Sequence, residues 1–545
     1  MRSSADAHPI QNHESQAAAV RPRGRERLWV LLLMGGFLAF SLATFNYYPA
    51  VWCDEVLYSE PAINLIRHGS YTTDAYEFQP PDTFPIVNCP LYGLTMAPWL
   101  AVTGTNLLAV RSYNYALMAL GACLLWSASW RFGLVRSARA RLLMVATLPL
   151  GYGISFAYRC CRPDMLGMVC LLLLLLSFKL PRRHWRELCL AILSAVTVWI
   201  GLQVALYAWA GCLLGWLVFR RTGLREMALV SLGMAAGAGS LVWFMQSKGM
   251  LAWFLPPVLG VVKGTYYAHS AHRSMAAAVL DFFRQLAPLY VNDFSSLALT
   301  PCLLALLTVG RPRLSPILRR LVVFCALLFF TVPVLFQIVG HFAFYYSYLR
   351  FVPATLAVFA AGPELIELAS PRARAWRLGL AASIAGAVLV GLPLRLALTV
   401  ACVRLAPRSE IQSVIASRIS PQDVVFSDYL AFFEVKNAAR RVYHFYCSSV
   451  LYACGIPGSD LSREDKQAVS VLVIRPEQRE RLFAFFGGRW EAVTEPIGDT
   501  QDFSRLTRLP LIGRRLASYA AQPQTERYQL QIFKRVADAN AARLP

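Results

Sequence analysis

Long apolar runs separated by short basic clusters dominate the first 400 positions. Apolar stretches fall at 28–48, 107–130, 142–158, 165–178, 226–246, 291–309, 321–340, 351–369 and 378–400. Most approach the roughly 20 residues that a helix needs to cross a bilayer. The stretch 188–219 is too long for one crossing and short for two, and basic residues flank it on both sides. A hairpin of two short spans, or a re-entrant pair, restores parity. The expected count is therefore about eleven spans, with boundaries good to several residues.

Lys and Arg set the orientation. Arg21, Arg23, Arg25 and Arg27 precede the first span. Arg131, Arg136, Arg139 and Arg141 follow the second, and Lys179, Arg182, Arg183 and Arg186 follow the fourth. Arg220, Arg221 and Arg225, then Arg311, Arg313, Arg319 and Arg320, then Arg372, Arg374 and Arg377 occupy later connections of the same parity. With the N-terminus inside, every basic cluster is cytoplasmic. Residues 1–27 then form a cytoplasmic tail, residues 28–402 a membrane domain, and the C-terminus lies outside.

Two outer connections are long. The first, 49–106, carries helical patterns at 55–68 and 91–103, both expected to lie at the membrane interface. The second, 247–290, holds Lys248, Lys263, His269, His272, Arg273 and Arg284. After about residue 403 the pattern changes. Segments 410–419 and 477–486 read as helices, and 424–426, 442–445, 469–474 and 528–533 as short strands. Residues 403–545 are expected to form a small extracytoplasmic α/β domain without a catalytic motif of its own.

Composition agrees with membrane insertion. Of 545 residues, 57% are hydrophobic and only 15% charged, against about 25% charged in soluble proteins. The net charge of +22 invites a nucleic-acid reading, but its placement between apolar spans is a topology signal instead, and no nucleic acid is expected as a partner. The thirteen cysteines include no CxxC pair. Cys53 with Cys89, and Cys447 with Cys454, share outer regions where disulfides are permitted, though spacing alone does not pair them. His269 and His272 have metal-ligand spacing but no third ligand nearby, so neither metal nor cofactor is expected.

Candidate chemistry gathers where the first span ends. Asp54 and Glu55 are adjacent carboxylates at a membrane edge, where ionisable groups are costly and usually functional. A like-charged pair in a desolvated place suits a general base. Asp54 also suits the N-terminus of the helix that follows, and both roles can hold. Asp164 opens another span beside Arg162, as a cap or an ion-pair partner. Outer-face cations are few, and each one alone reads as a solvated loop charge except Arg350, which opens an apolar span behind the aromatic run 341–348.

These elements, in this order, resemble the type C glycosyltransferases, specifically the family of protein O-mannosyltransferases and lipid A aminoarabinose transferases. The resemblance rests on Asp54-Glu55 with Tyr58 after span one, on Pro90-Leu91-Tyr92, on Arg111 opening span two, on Arg162-Pro163-Asp164, and on Tyr348-Leu349-Arg350 with Pro353. It implies a polytopic α-helical membrane protein of type C glycosyltransferase fold, a polyprenyl-phosphate sugar donor and an extracytoplasmic site in a bacterial inner membrane. The acceptor would be an envelope glycan, lipid or protein, reached by inverting displacement.

Carried over, Asp54 is the general base, Glu55 and Asp164 position the acceptor or shape the field, and Arg162 and Arg350 hold the donor phosphate. Tyr58, Asn88, Tyr92 and Lys263 complete the expected substrate contacts. The family's phosphate-binding lysine is absent from its usual place, where Val87-Asn88-Cys89-Pro90 stands and Asn88 offers a neutral donor only. Two other functions fit the composition: a transporter or flippase of lipid-linked sugar, and a non-catalytic envelope assembly protein. Transporters place ionisable groups at mid-membrane and usually show repeats, whereas here the acids lie at the outer edge.

Overall fold

The computed structural model describes residues 22, 24–75, 79–86, 89–219, 223–255, 283–284, 288, 290, 293–308, 314–338, 344–368, 373–444, 461–498, 500–510, 513–521 and 529–536. Helices dominate the chain as far as Cys402. They are α1 (Gly24–Ala43), α2 (Cys53–His68), α3 (Leu91–Thr103), α4 (Leu107–Arg131), α5 (Ala138–Thr147), α6 (Tyr152–Arg159) and α7 (Asp164–Ser177). Then follow α8 (Arg183–Ile200), α9 (Leu202–Phe219), α10 (Leu224–Ser247), α11 (Phe294–Leu307), α12 (Pro316–Ile338), α13 (Tyr348–Leu368), α14 (Ala373–Leu389) and α15 (Leu392–Cys402).

Among the described residues, five helices are long and apolar enough to cross a membrane: α1, α4, α9, α10 and α12. The number rises to seven if each of two bent pairs is one span, against the eleven expected. Each expected span does fall on a helix. Length separates the two counts in part: α7 and α11 have 14 residues each, about 21 Å of helix against a hydrocarbon core of about 30 Å.

The bends have local causes. Between α5 and α6 the chain passes through a tight turn at Leu148–Leu150 with Pro149 and Gly151, and turns by 64°. Between α14 and α15, Gly391 and Pro393 interrupt the helix and it turns by 43°. Proline removes a donor and clashes with the preceding turn, so a break here is expected. The two breaks touch: a β-carbon on Gly391 would run into the backbone of Leu150 and Gly151.

Beyond Cys402 the chain forms an α/β unit. Strands β2 (Val424–Ser427), β3 (Arg441–His444), β4 (Val471–Ile474), β5 (Trp490–Ala492), β6 (Ile497–Gly498) and β8 (Gln529–Arg535) make one sheet. Its order is β3-β2-β4-β8-β5, with β6 also on β8. The β3-β2-β4 part is parallel and β8 runs antiparallel to its neighbours. A separate pair joins β1 (Val403–Arg404) to β7 (Thr500–Gln501). Helices α16 (Arg408–Arg418) and α17 (Phe432–Ala438) cover one face. The other face packs Phe426, Leu472 and Phe533 against Phe486 and Trp490.

One apolar cluster runs through both parts. Val56 and Ile63 of α2, Tyr92 and Met96 of α3, and Val110 of α4 join Ile411, Phe432, Val435 and Val442 of the α/β unit. Helix α2 therefore differs from an interfacial helix with one wet face. It is covered by the α/β unit, and its polar residues Ser59, Glu60 and Asn64 are buried as well. The Ser59 hydroxyl, both Glu60 oxygens and the Asn64 amide nitrogen find partners within the protein, which makes their burial tolerable.

Candidate active site

Helix α2 starts with its own cap. Trp52 is extended, and its backbone N–H donates to Glu55 Oε2 at 3.0 Å. This satisfies an orphan donor at the helix start and puts both acids, Asp54 and Glu55, in the first turn. At the other end Gly69 takes φ 71, the left-handed conformation that ends many helices.

The two adjacent acids have separate environments. Glu55 is fully buried and faces Arg111 of α4, whose Nε donates to Oε1 at 2.8 Å and Nη2 to Oε2 at 2.7 Å. Such a two-pronged pair is the strong geometry for guanidinium and carboxylate. Arg111 also donates to the carbonyls of Phe45 and Ala50. One side chain thus ties the end of α1, the start of α2 and α4 together, and both Glu55 oxygens are committed.

Asp54 is 19% exposed and meets Arg162 Nη1. Arg162 is buried, and its Nε donates to Asp164 Oδ2 at 2.8 Å. The guanidinium lies over the Tyr345 ring, 3.6 Å from the centroid, with Trp52, Tyr58 and Tyr346 at 5.5, 5.7 and 5.9 Å. Aromatic faces attract a cation, more so when water is excluded. Two carboxylates and one guanidinium, walled by four partly exposed rings, form a polar group in which Asp54 is the more exposed acid.

The turn that carries Arg162 is pinned from behind. Cys161 takes φ 48, a left-handed backbone that a β-carbon disfavours. Its Sγ lies 3.0 Å from Tyr92 Oη and 3.2 Å from the Val110 carbonyl. Tyr92 Oη donates to Asn114 Oδ1 at 3.0 Å, and Asn114 Nδ2 donates to the Arg162 carbonyl at 2.8 Å. Helices α3 and α4 thereby fix the register of the Arg162 turn. Nearby, Arg159 is buried with Nε and Nη2 donating to the carbonyls of Tyr48 and Thr44.

Of the residues singled out from sequence, the structure brings together Asp54, Tyr58, Tyr92, Arg162 and Asp164, with Glu55 behind them on Arg111. Arg350 is buried in the first turn of α13, its guanidinium 4.4 Å from the Phe329 ring and 5.1 Å from that of Tyr290. Asn88, Lys263, His269 and His272 lie outside the described residues, as do Cys447 and Cys454. The other open cysteine pair is not bridged: Cys53 Sγ donates to Asp54 Oδ1 at 3.7 Å, and Cys89 is a buried thiol.

Sequence reasoning missed Trp52, Asn114, Cys161 and the pairing of Glu55 with Arg111. Tyr345 and Tyr346 belong to the aromatic run noted before Arg350, and a cation facing that run was the available signal. Asn114 carries none, since its role depends on a turn 48 residues away.

No protein-family model and no curated protein matches the chain. Among solved structures it is similar to the crystal structure of ArnT from Cupriavidus metallidurans in the apo state, with a TM-score of 0.44 and 15% identity over 94% of this chain and 99% of that chain. At that degree of likeness the chemistry has to be argued from this chain's own residues.

Proposed function

We propose that this protein is a membrane-embedded glycosyltransferase of the type C class, moving a sugar from a polyprenyl-phosphate donor to an envelope glycan, lipid or protein acceptor. The observation that carries this is Asp54: a carboxylate held by a buried guanidinium, at a partly open corner of an aromatic-walled polar group. A base must be exposed enough to reach a hydroxyl and fixed enough to be aimed at it.

In this mechanism Asp54 takes the proton of an acceptor hydroxyl as that oxygen attacks the anomeric carbon. The bond from that carbon to the donor's phosphate oxygen breaks, and polyprenyl phosphate leaves as an anion. Configuration inverts because one displacement occurs. Arg162 is the cation closest to the base, and it steadies the charge that develops on the leaving group. Asp164 orients Arg162, and the Glu55–Arg111 pair holds the helix that carries Asp54. Tyr58 and Tyr92 form the wall on the α3 side. The site and the α/β unit face the extracytoplasmic side, and the basic clusters stay inside.

The test is Asp54→Asn in the full-length protein, read in two ways. Transfer should fall by about 10²–10⁴-fold, the usual contribution of a positioned base, with expression unchanged. Mass spectrometry of co-purifying lipid should show a polyprenyl-phosphate sugar retained by the blocked protein. Unimpaired transfer would remove Asp54 from the mechanism. Movement of a lipid-linked sugar across vesicles without bond cleavage would replace the transferase by a flippase.

A further inference from the structure

We propose that Lys436, in the C-terminal α/β unit, is a positioning residue for the reaction assigned to Asp54, acting through Glu60 to hold helix α2 in place. The inference rests on the transferase reading above and assigns to the α/β unit a part of the active-site frame.

The contacts all converge on the half of α2 away from Arg111. Glu60 is fully buried, and its Oε1 accepts from Lys436 Nζ at 2.8 Å. Its Oε2 accepts from Thr73 Oγ1 at 2.6 Å and from the Asp74 backbone N–H at 3.0 Å. One turn further, Asn64 Nδ2 donates to the Thr72 carbonyl at 2.8 Å. Arg67 donates to the Lys436 carbonyl and to Asn437 Oδ1, and to Thr105 Oγ1 at 2.7 Å. Asp74 then accepts from Arg441 Nη2 at 2.9 Å and from the Asp82 backbone N–H at 2.9 Å.

Helix α2 is thus gripped at both ends by different parts of the molecule. Glu55 fixes the first turn to α4, and Glu60 and Arg67 fix the rest to α17, to Thr73 and Asp74 of the loop after α2, and to Thr105 before α4. The clamp also holds Thr72, Thr73 and Asp74 just after α2. Asp54 sits less than two turns from Glu60. A shift of about 1 Å at a catalytic group can cost about 100-fold in rate without touching the reacting atoms.

A buried ion pair is a poor source of stability but a strict one. With Lys436 removed, Glu60 is left buried and uncompensated and the helix must move to relieve it. The neutral double variant Glu60→Gln/Lys436→Gln keeps the geometry. The amide oxygen that E60Q introduces can accept from Thr73 and Asp74, while its NH₂ group donates to the amide oxygen that K436Q introduces. The frame should therefore survive loss of both charges.

The experiment uses the full-length protein in nanodiscs. Three forms are compared: wild type, Lys436→Met and Glu60→Gln/Lys436→Gln. Amide hydrogen exchange over residues 53–60 is followed without substrate. Undecaprenyl phosphate probes donor-site binding, and the lipid-linked sugar that co-purifies with Asp54→Asn serves as substrate.

Lys436→Met should exchange about tenfold faster over 53–60 while α4 and α12 keep their protection. Its kcat should fall by about 100-fold, with KM and undecaprenyl phosphate binding unchanged, and the E60Q/K436Q double variant should restore both exchange and kcat. Wild-type exchange or wild-type kcat in Lys436→Met overturns the positioning role. Absence of turnover by wild-type protein instead overturns the transferase reading, so the two failures are told apart. If Lys436→Met does not fold, the double variant decides: kcat near wild type supports the frame, and slow turnover with wild-type exchange overturns it.

Discussion

Glu55 and Asp54 are neighbours in sequence with opposite fates, and the difference is their second partner. Glu55 loses both oxygens to Arg111 in a site with no exposure, whereas Asp54 keeps an open side. Arg111→Met should therefore leave a buried, uncompensated carboxylate and cost about 3–5 kcal/mol, while Glu55→Gln/Arg111→Met should recover most of it. Denaturant or SDS titration in detergent reads this directly. Equal losses in the single and double variants would show that the pair's worth lies elsewhere. His444, at the end of β3, gives a pH signature. Burial among Tyr429 and Phe432 lowers its pKa to about 3 from the usual 6.5. The folded protein keeps this ring neutral over a range where the unfolded chain binds a proton. Stability should thus fall by about 1.4 kcal/mol per pH unit as pH drops below 6.5, and level off near 3. His444→Phe should lack that slope in a melting-temperature series from about pH 7 to about pH 4.5. An unchanged slope would assign the titration to another group. Asp428 could not supply it, because burial pushes its carboxyl up and its contribution has the opposite sign.

At the scale of elements, the apolar runs placed the helices well because span length and basic flanks leave few alternatives. The run 107–130 is α4, and 226–246 is α10 (Leu224–Ser247). Strands β2, β3, β4 and β8 also fell within about two residues of their positions, the usual boundary error, since each carries short runs of Val, Ile, Phe or Tyr, as in Val471–Ile474. What stayed hidden depends on contacts distant in sequence. The bend at Leu148–Leu150 reflects packing against Gly391 as much as Pro149, and the clamp on α2 pairs residues more than 360 positions apart. The acids stand out in the sequence because paired carboxylates after an apolar run are conspicuous, and Arg162 and Tyr92 stand out with the motifs that carry them; Asn114 and Cys161 do not, because one looks like an ordinary span residue and the other like an ordinary turn residue. One element pair shows the same logic in packing. Gly233 and Gly237 of α10 lie against the backbone of Ala191 and Ala195 of α8, with no room for a β-carbon. Small residues four apart allow two membrane helices to touch closely. Gly237→Leu should force α8 and α10 apart and cost about 1–3 kcal/mol, whereas Gly239→Leu, which meets open space, should be near neutral. SDS-driven unfolding of the two variants makes the comparison, and equal effects would count against the close contact.

For the molecule as a whole, the question is whether the membrane helices and the α/β unit are separate bodies joined by a linker or one cooperative structure. Domains inside one chain usually meet over modest, polar interfaces and move against each other. Here the junction has a different makeup. The apolar cluster passes from Val56, Ile63 and Tyr92 into Phe432, Val435 and Val442. Lys436–Glu60 and Arg441–Asp74 bridge it as ion pairs, the first of them buried. Arg408 adds a contact to Asn46 at 3.0 Å, next to the end of α1. Separating the two parts would expose that cluster and strand Glu60 without its counter-charge, so a state with one part folded and the other open is costly from both sides. The expectation is a single unfolding transition for the full-length protein. A probe in the α/β unit, such as a fluorophore on exposed Glu491, and far-ultraviolet circular dichroism, which reports mostly the membrane helices, should give coincident midpoints. Lys436→Met should split the transition, with the α/β unit opening first, because it leaves Glu60 unpaired in the seam while the helix core keeps its contacts. Two separate transitions already in the wild-type protein would mean that the shared cluster does not couple the parts, and the grip on α2 would then have to be too weak to hold Asp54 in register.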